Sequence, residues 1–160
     1  MKHAQSRILI FLLVFAVAIE AVSGIYGGLT LILDPSGGML RMPVSLLDGT
    51  IFTNFLIPGI ILFSLIGLFP LFLIYPLLAK PTWPFIDNLN IYKSYHWAWT
   101  CTLYNSIILI LWINIQLMIL NEGAAIHGIV GFWGTLILVL VLTPPVKRFY
   151  RLSPDKESEK

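Results

Sequence analysis

Four long apolar runs restrict this chain to a single kind of environment. They span residues 8–33, 55–79, 96–120 and 124–143, and a helix needs about 20 apolar residues to cross the hydrocarbon core of a bilayer. The 160-residue chain is 58% hydrophobic and only 11% charged, with a mean hydropathy of +0.87. Soluble domains carry about 25% charged residues, so this chain cannot cover its apolar side chains in water. We predict an all-α membrane protein, a four-transmembrane-helix bundle that forms a single domain over residues 1–160.

The first apolar run has two interpretations. Basic residues before it and the sequence Ala21-Val22-Ser23 inside it are typical of a cleaved signal peptide. Against cleavage, Glu20 adjoins the cleavage box, and the apolar sequence continues for ten residues beyond it, over residues 24–33. We therefore expect the run to be retained as the first helix.

The sequence after the first run predicts a segment that lies along the membrane surface. Asp34-Pro35 ends the helix, because the residue before a proline is pushed out of the α region. Ser36-Gly37-Gly38 favours a turn. Residues 39–54 are too apolar for a free loop, so we expect an interfacial or a re-entrant element there. Farther on, Pro70 inside the second run predicts a bend in that helix.

Basic residues are distributed unevenly over the predicted topology. With four crossings and the N-terminus inside, nine of the ten Lys and Arg residues lie on the cytoplasmic side, and only Arg41 lies outside. This distribution satisfies the positive-inside rule. We expect a multi-pass protein of the plasma (inner) membrane with both termini cytoplasmic and a cytoplasmic tail at residues 146–160.

Glu20 is the most informative polar residue of the runs. A carboxyl group deep in a bilayer is costly and faces a packed interior or a wet cavity. Glu20 shares one helix face with Ala16, Ser23/Gly24, Gly27 and Leu31, and no Lys or Arg lies within any run. We therefore expect a protonated Glu20 that forms hydrogen bonds with a neighbouring helix. Residue type and depth predict an intramembrane polar site that comprises Glu20, Ser64, Asn105 and Gln116, unless these residues serve only as structural links between helices.

A second polar group is expected at the outer face, formed by Asp34, Asp48, Glu122 and His127. Glu122 and His127 are a candidate acid–base pair within this group. His96 begins the third run on the inner side and His127 begins the fourth on the outer side, on the order of 25–30 Å apart. These two histidines therefore cannot ligate one haem or one metal ion.

Other chemistry is excluded by what the chain contains. The single cysteine, Cys101, rules out an internal disulfide and a cysteine-based zinc site. No P-loop, dinucleotide-binding, metalloprotease or serine-hydrolase motif occurs. We predict no catalytic, cofactor-binding or metal-binding residues and no cofactor. Nucleic acid is not expected as a partner, because no basic stripe lies away from the membrane edges.

Residues 27–59 contain two motifs. The first reads Gly27-Gly28-x-x-Leu31-x-x-Asp34-Pro35-Ser36-Gly37, and the second reads Gly49-Thr50-x-Phe52 followed by Phe55-x-Ile57-Pro58-Gly59. Together with Trp112-Ile113-x-Ile115-Gln116, they resemble a group of uncharacterised small bacterial integral membrane proteins with four predicted helices. The resemblance covers about half of the chain. It implies a protein of the bacterial inner membrane and implies no activity.

Three classes of function fit these observations. The favoured one is a non-enzymatic accessory or interaction protein whose partners, besides the lipid bilayer, are a second copy of the chain or another membrane protein. Such contacts would use small-residue faces such as Gly24-x-x-x-Gly28. The first alternative is a carrier or channel for a small solute, proton or lipid, with Glu20 as the titrating group. The second alternative is a membrane enzyme that acts on a lipid or quinone at the outer face, with residues 34–54 as a lid.

Overall fold

The described part of the chain is predominantly helical. The computed structural model describes the backbone of residues 2–120 and 125–152 and the side chains of residues 6–117 and 129–152. Within these ranges the only strand-like contact is a bridge between Tyr95 and Arg151. The helices are α1 (Lys2–Leu33), α2 (Leu56–Ala79), α3 (Pro84–Leu89), α4 (Trp97–Leu120), α5 (Ala125–Leu142) and α6 (Pro144–Tyr150). The all-α prediction is confirmed.

Three of these helices are long and apolar enough to cross a membrane. They are α1, α2 and α4, which match the first three predicted runs closely, although α1 already begins at Lys2. In the fourth run, Ile129–Leu142 passes the same test only together with Pro144–Tyr150, and the two pieces meet at 62°. The break follows from sequence: Thr143 is extended, as a residue before proline should be.

Helices α1 and α2 approach each other so closely that backbone touches backbone. A Cβ atom added at Gly24 would lie 2.3 Å from the carbonyl oxygen of Ile66, and one added at Gly28 would lie 2.4 Å from the amide nitrogen of Phe63. The contact is reciprocal, because a Cβ atom at Gly67 would lie 2.8 Å from the backbone of α1. The close approach that Gly24-x-x-x-Gly28 predicts therefore occurs within the chain, and α2 occupies this face of α1.

The middle of α2 is a π-helical segment, Leu62–Leu68. Pro70 follows it and has no amide hydrogen for the carbonyl group of Ile66, four residues earlier, and its ring crowds that carbonyl group. The helix widens there into π geometry. Prolines and π-helical segments are known causes of distortion in long helices. The sequence predicted a bend at Pro70; the structure shows a π-helical segment just before it, at the point where α1 makes its closest contact.

One end of the bundle, which we call the basic end, is fastened by hydrogen bonds between distant parts of the chain. The Tyr150 hydroxyl donates to the carbonyl oxygen of Leu77 at 2.6 Å, and the His96 amide donates to the carbonyl oxygen of Tyr150 at 2.8 Å. Trp97 and Trp99 are almost fully buried at this end. These contacts hold α2, α4 and α6 together. The pocket described below lies at the opposite end of the bundle.

The glycine contact makes a sharp prediction about stability. Gly28→Ala should lower the free energy of unfolding by about 1–3 kcal/mol, because the new methyl group meets backbone that cannot move aside. Gly27→Ala is the matched control, since its Cβ atom would meet only the end of the Leu62 side chain, at 3.2 Å. Both changes add the same helix propensity, so their difference reports packing alone. Unfolding in detergent, followed by circular dichroism, should separate them; equal stabilities would disprove the close contact.

Candidate functional site

Glu20 and Asn105 form a buried hydrogen-bonded pair between α1 and α4. The amide nitrogen Nδ2 of Asn105 donates to Glu20 Oε2 at 2.7 Å, and the two side chains are 3% and 0% exposed. Glu20 lies on the buried face of α1 with Ala16 and Gly24, as its spacing predicts. Two of the four residues predicted to form the intramembrane site are therefore in direct contact.

The pair has unused hydrogen-bonding capacity. Glu20 Oε1 and Asn105 Oδ1 are buried and have no partner among the described residues. Both atoms are acceptors, and buried polar atoms normally find a partner. A proton on the Glu20 carboxyl group would convert one acceptor into a donor, so the neutral state of Glu20 stays a prediction that the unpartnered atoms favour. Residues 8–33, 56–79 and 97–117, the apolar parts of the described spans, contain no Lys or Arg to act as a counter-ion.

The other two residues of the predicted intramembrane site lie elsewhere. The Ser64 hydroxyl donates to the carbonyl oxygen of Ile60 at 2.7 Å within its own helix, a common arrangement for serine in helices. Gln116 lies three turns beyond Asn105 on α4, about 16 Å along the axis at 1.5 Å per residue. Gln116 belongs to a separate pocket, so the structure brings together Glu20 and Asn105 and does not add Ser64 or Gln116 to them.

The predicted outer-face group is described only in part. Asp34 accepts hydrogen bonds from the Ser36 hydroxyl and the Met39 amide, which lower the pKa of the Asp34 carboxyl group below its usual value. Asp48 is exposed at a turn. No hydrogen bond between described residues joins it to Asp34. Glu122 and the side chain of His127 lie outside the described residues. The Asp34 carboxylate therefore stabilises its own turn, which is a structural role.

The chain between α1 and α2, which we call the connecting segment (residues 34–55), is an ordered element. Its two ends are joined by a hydrogen bond from the Phe55 amide to the carbonyl oxygen of Pro35, at 2.9 Å. It contains two short 3-10 helices, Gly38–Leu40 and Val44–Leu47. Leu47 and Phe55 are buried against Leu31 of α1 and form a small hydrophobic cluster. The apolar residues that the sequence places here therefore fold over the end of the bundle.

A pocket of about 210 Å³ lies between the connecting segment and the helix ends. Four elements contribute to its wall, which is lined by Leu31, Met42, Leu47, Phe52, Phe55, Pro58, Ile61, Trp112, Ile115 and Gln116. None of these side chains is titratable. Two carry polar atoms: the Trp112 indole nitrogen is buried without an acceptor among the described residues, and Gln116 contributes a carboxamide. The pocket can hold an apolar molecule and offers few hydrogen bonds to it.

Sequence reasoning missed this pocket. Trp112 and Gln116 are four residues apart and share a helix face, and the connecting segment is visibly too apolar for a free loop. These two signals, however, do not indicate that both elements face the same space. Only the fold of the connecting segment over α1 and α4 brings them together.

The Glu20–Asn105 pair predicts that one substitution of Glu20 lowers stability and that another leaves it nearly unchanged. Glu20→Leu should lower the free energy of unfolding by about 1–3 kcal/mol, because it leaves the buried Asn105 amide without a partner. Glu20→Gln should be nearly as stable as the wild type, since a carboxamide can replace a neutral carboxyl group in both roles.

The double variant Glu20→Leu/Asn105→Leu provides the control. Removing both partners should cost less than Glu20→Leu alone. Thermal or denaturant unfolding in detergent measures all three variants. If Glu20→Leu is as stable as the wild type, the pair contributes nothing to the packing of α1 against α4.

Two separate features in the described residues can therefore support a function: the buried pair and the pocket. Both depend on α4, which supplies Asn105 to one and Trp112 and Gln116 to the other. Comparison with protein-family models, curated proteins and solved structures gives no match.

Proposed function

We propose that this chain is a non-enzymatic membrane protein that holds part of a lipid-like molecule in the pocket beneath the connecting segment. The observation that carries the proposal is the pocket itself, with a volume of about 210 Å³ and an almost entirely apolar wall. An apolar cavity of roughly 150 Å³ is sufficient to bind benzene. The pocket is therefore large enough for a ring or for a segment of an acyl or prenyl chain.

The composition of the wall supports binding rather than catalysis. A lipid- or quinone-modifying enzyme needs an acid, a base or a nucleophile close to its substrate. Among the described residues, the wall contains no titratable side chain, and the Asp34 carboxylate already accepts hydrogen bonds from its own turn. The connecting segment thus has the position of the predicted lid without carrying chemistry to the pocket.

We further propose four membrane crossings, with α5 as the fourth and both termini on the cytoplasmic side of the plasma membrane. The support is the charge distribution, since nine of ten basic residues then lie inside and the pocket opens at the outer face. The resemblance of residues 27–59 to small bacterial inner-membrane proteins is consistent with this topology. Protease added outside intact cells should leave both termini uncut, whereas cleavage of either terminus would disprove this orientation.

A second function, transport of a proton or a small solute, is favoured by the two unpartnered oxygens of the Glu20–Asn105 pair. Intramembrane carboxyl groups often mark proton or ion pathways. The Glu20→Gln variant distinguishes this role from packing, because it should fold normally under both interpretations. A carrier would lose proton flux in proteoliposomes with this change, whereas a purely structural pair would leave the flux of wild type and variant equal.

Filling the pocket tests the binding function. Native mass spectrometry of the protein in a gentle detergent should show a stoichiometric lipid-like adduct on the wild type. Ile115→Trp places a larger side chain in the pocket wall and should reduce this adduct at least several-fold, because the added ring occupies the ligand's volume.

Ile107→Trp is the matched control on the same helix. Ile107 is 40% exposed, close to the 47% of Ile115, and lies outside the pocket wall. It should retain the adduct at the wild-type level. Absence of any adduct on the wild type, or equal loss in both variants, would show that the pocket does not hold a lipid.

A further inference from the structure

Arg41 is the one cation of the connecting segment, and the next residue in the sequence, Met42, lines the pocket. The Cα atoms of these two residues are therefore about 3.8 Å apart. The other nine basic residues of the chain lie outside this segment. The one basic residue of this segment therefore lies one position from the pocket wall in the sequence.

The Arg41 guanidinium group is available to a ligand. The side chain is exposed, and no hydrogen bond or ion pair within the described residues engages it. The Asp34 carboxylate accepts hydrogen bonds from Ser36 and Met39 instead. Within the part of the chain that the structure describes, the Arg41 charge therefore has no counter-charge.

The backbone at Arg41 is unusual for an arginine. Its φ angle is 55°, in the left-handed region that glycine and asparagine adopt most easily, and its amide donates to the carbonyl oxygen of Gly38. Glycine occupies the other two positions of positive φ in this segment, Gly37 and Gly49. Backbone geometry therefore favours a different residue at position 41, and the arginine side chain needs a reason other than the turn.

The depth of Arg41 indicates which anion it would meet. Met39 and Ile51 on the same segment are 63% and 91% exposed. Apolar side chains on an interfacial element lie at the boundary between headgroups and acyl chains. The abundant anion at that depth is the phosphate of a lipid, and a guanidinium group can bind phosphate with two parallel hydrogen bonds.

We propose that the pocket ligand is a phospholipid, with a stretch of acyl chain against the apolar wall and its phosphate at Arg41. This inference rests on the proposed binding function and adds the chemical class of the headgroup. It assigns Arg41 as the residue that distinguishes a phosphate-bearing lipid from a neutral lipid with the same tails.

The experiment compares two lipids that differ only in the headgroup. Delipidated full-length protein in detergent is titrated with dioleoylphosphatidylglycerol and with dioleoylglycerol, and native mass spectrometry measures the bound fraction. The wild type should bind the phospholipid about tenfold more tightly, as one charge-assisted hydrogen-bonded contact would provide. Inorganic phosphate alone should not displace the lipid, because it cannot fill the pocket.

Arg41→Asn and Arg41→Lys test the residue. Asparagine suits the left-handed backbone, so Arg41→Asn should fold normally while losing most of the preference for phosphatidylglycerol and keeping its affinity for dioleoylglycerol. Arg41→Lys keeps the charge without the two-pronged geometry and should retain an intermediate preference. If Arg41→Asn keeps the full wild-type preference for phosphatidylglycerol over dioleoylglycerol, the proposal is wrong.

Lys80→Asn is the matched control. Lys80 also has a positive φ angle, 48°, but lies at the basic end of the bundle, where its Nζ contacts Phe149. It should leave the headgroup preference unchanged. If Lys80→Asn lowers phosphatidylglycerol binding as much as Arg41→Asn, the lipid binds at the basic end and the proposal is wrong.

The outcomes also separate this inference from the function on which it rests. Equal binding of the two lipids, with loss in Ile115→Trp, would keep the pocket function and disprove the phosphate contact. No effect of Ile115→Trp on either lipid would disprove both. Oleate serves as a third probe, and its binding more tightly than phosphatidylglycerol would assign a carboxylate instead of a phosphate to Arg41.

Discussion

The backbone contact between α1 and α2 is the constraint on which the rest of this structure depends. In a bilayer the hydrophobic effect does not drive helices together, because lipid tails are as apolar as leucine. Close packing and hydrogen bonds must supply the specificity. Gly24 and Gly28 let α1 lie directly against the backbone of α2, which fixes the rotation of α1 about its axis. Glu20, one turn before Gly24, is thereby directed into the bundle, where Asn105 meets it.

Much of this arrangement is predictable from sequence, for reasons that differ between elements. Helix positions follow from the length of the apolar runs, because the bilayer demands about 20 apolar residues for each crossing. The buried face of α1 follows from the 3.6-residue period that aligns Ala16, Glu20 and Gly24. Asn105 could be proposed as a partner of Glu20 from its depth in the membrane, because helices that cross the same bilayer place residues of similar depth side by side.

What sequence could not supply is which helix faces which. Depth made Ser64 as good a partner for Glu20 as Asn105, yet the Ser64 hydroxyl bonds to its own helix at Ile60. The π-helical distortion before Pro70 alters the rotation of residues along α2, and no periodicity argument anticipates it. The pocket is missed for the same reason, since its wall joins residues from four elements that are far apart in sequence.

The pocket carries a cost in folding free energy that a membrane can offset. A void of about 210 Å³ in a sealed core would cost about 5 kcal/mol at roughly 24 cal/mol per Å³, comparable to the whole stability of a small protein. The connecting segment nevertheless holds its shape over this space through its own hydrogen bonds, including the one that joins Phe55 to Pro35. In a membrane the surrounding acyl chains can fill such a space and remove most of that cost. A pocket that would destabilise a soluble protein can thus persist in a membrane, where acyl chains fill it. Under the proposed binding function, Arg41, next to Met42 of the pocket wall, is the residue that would select among lipids.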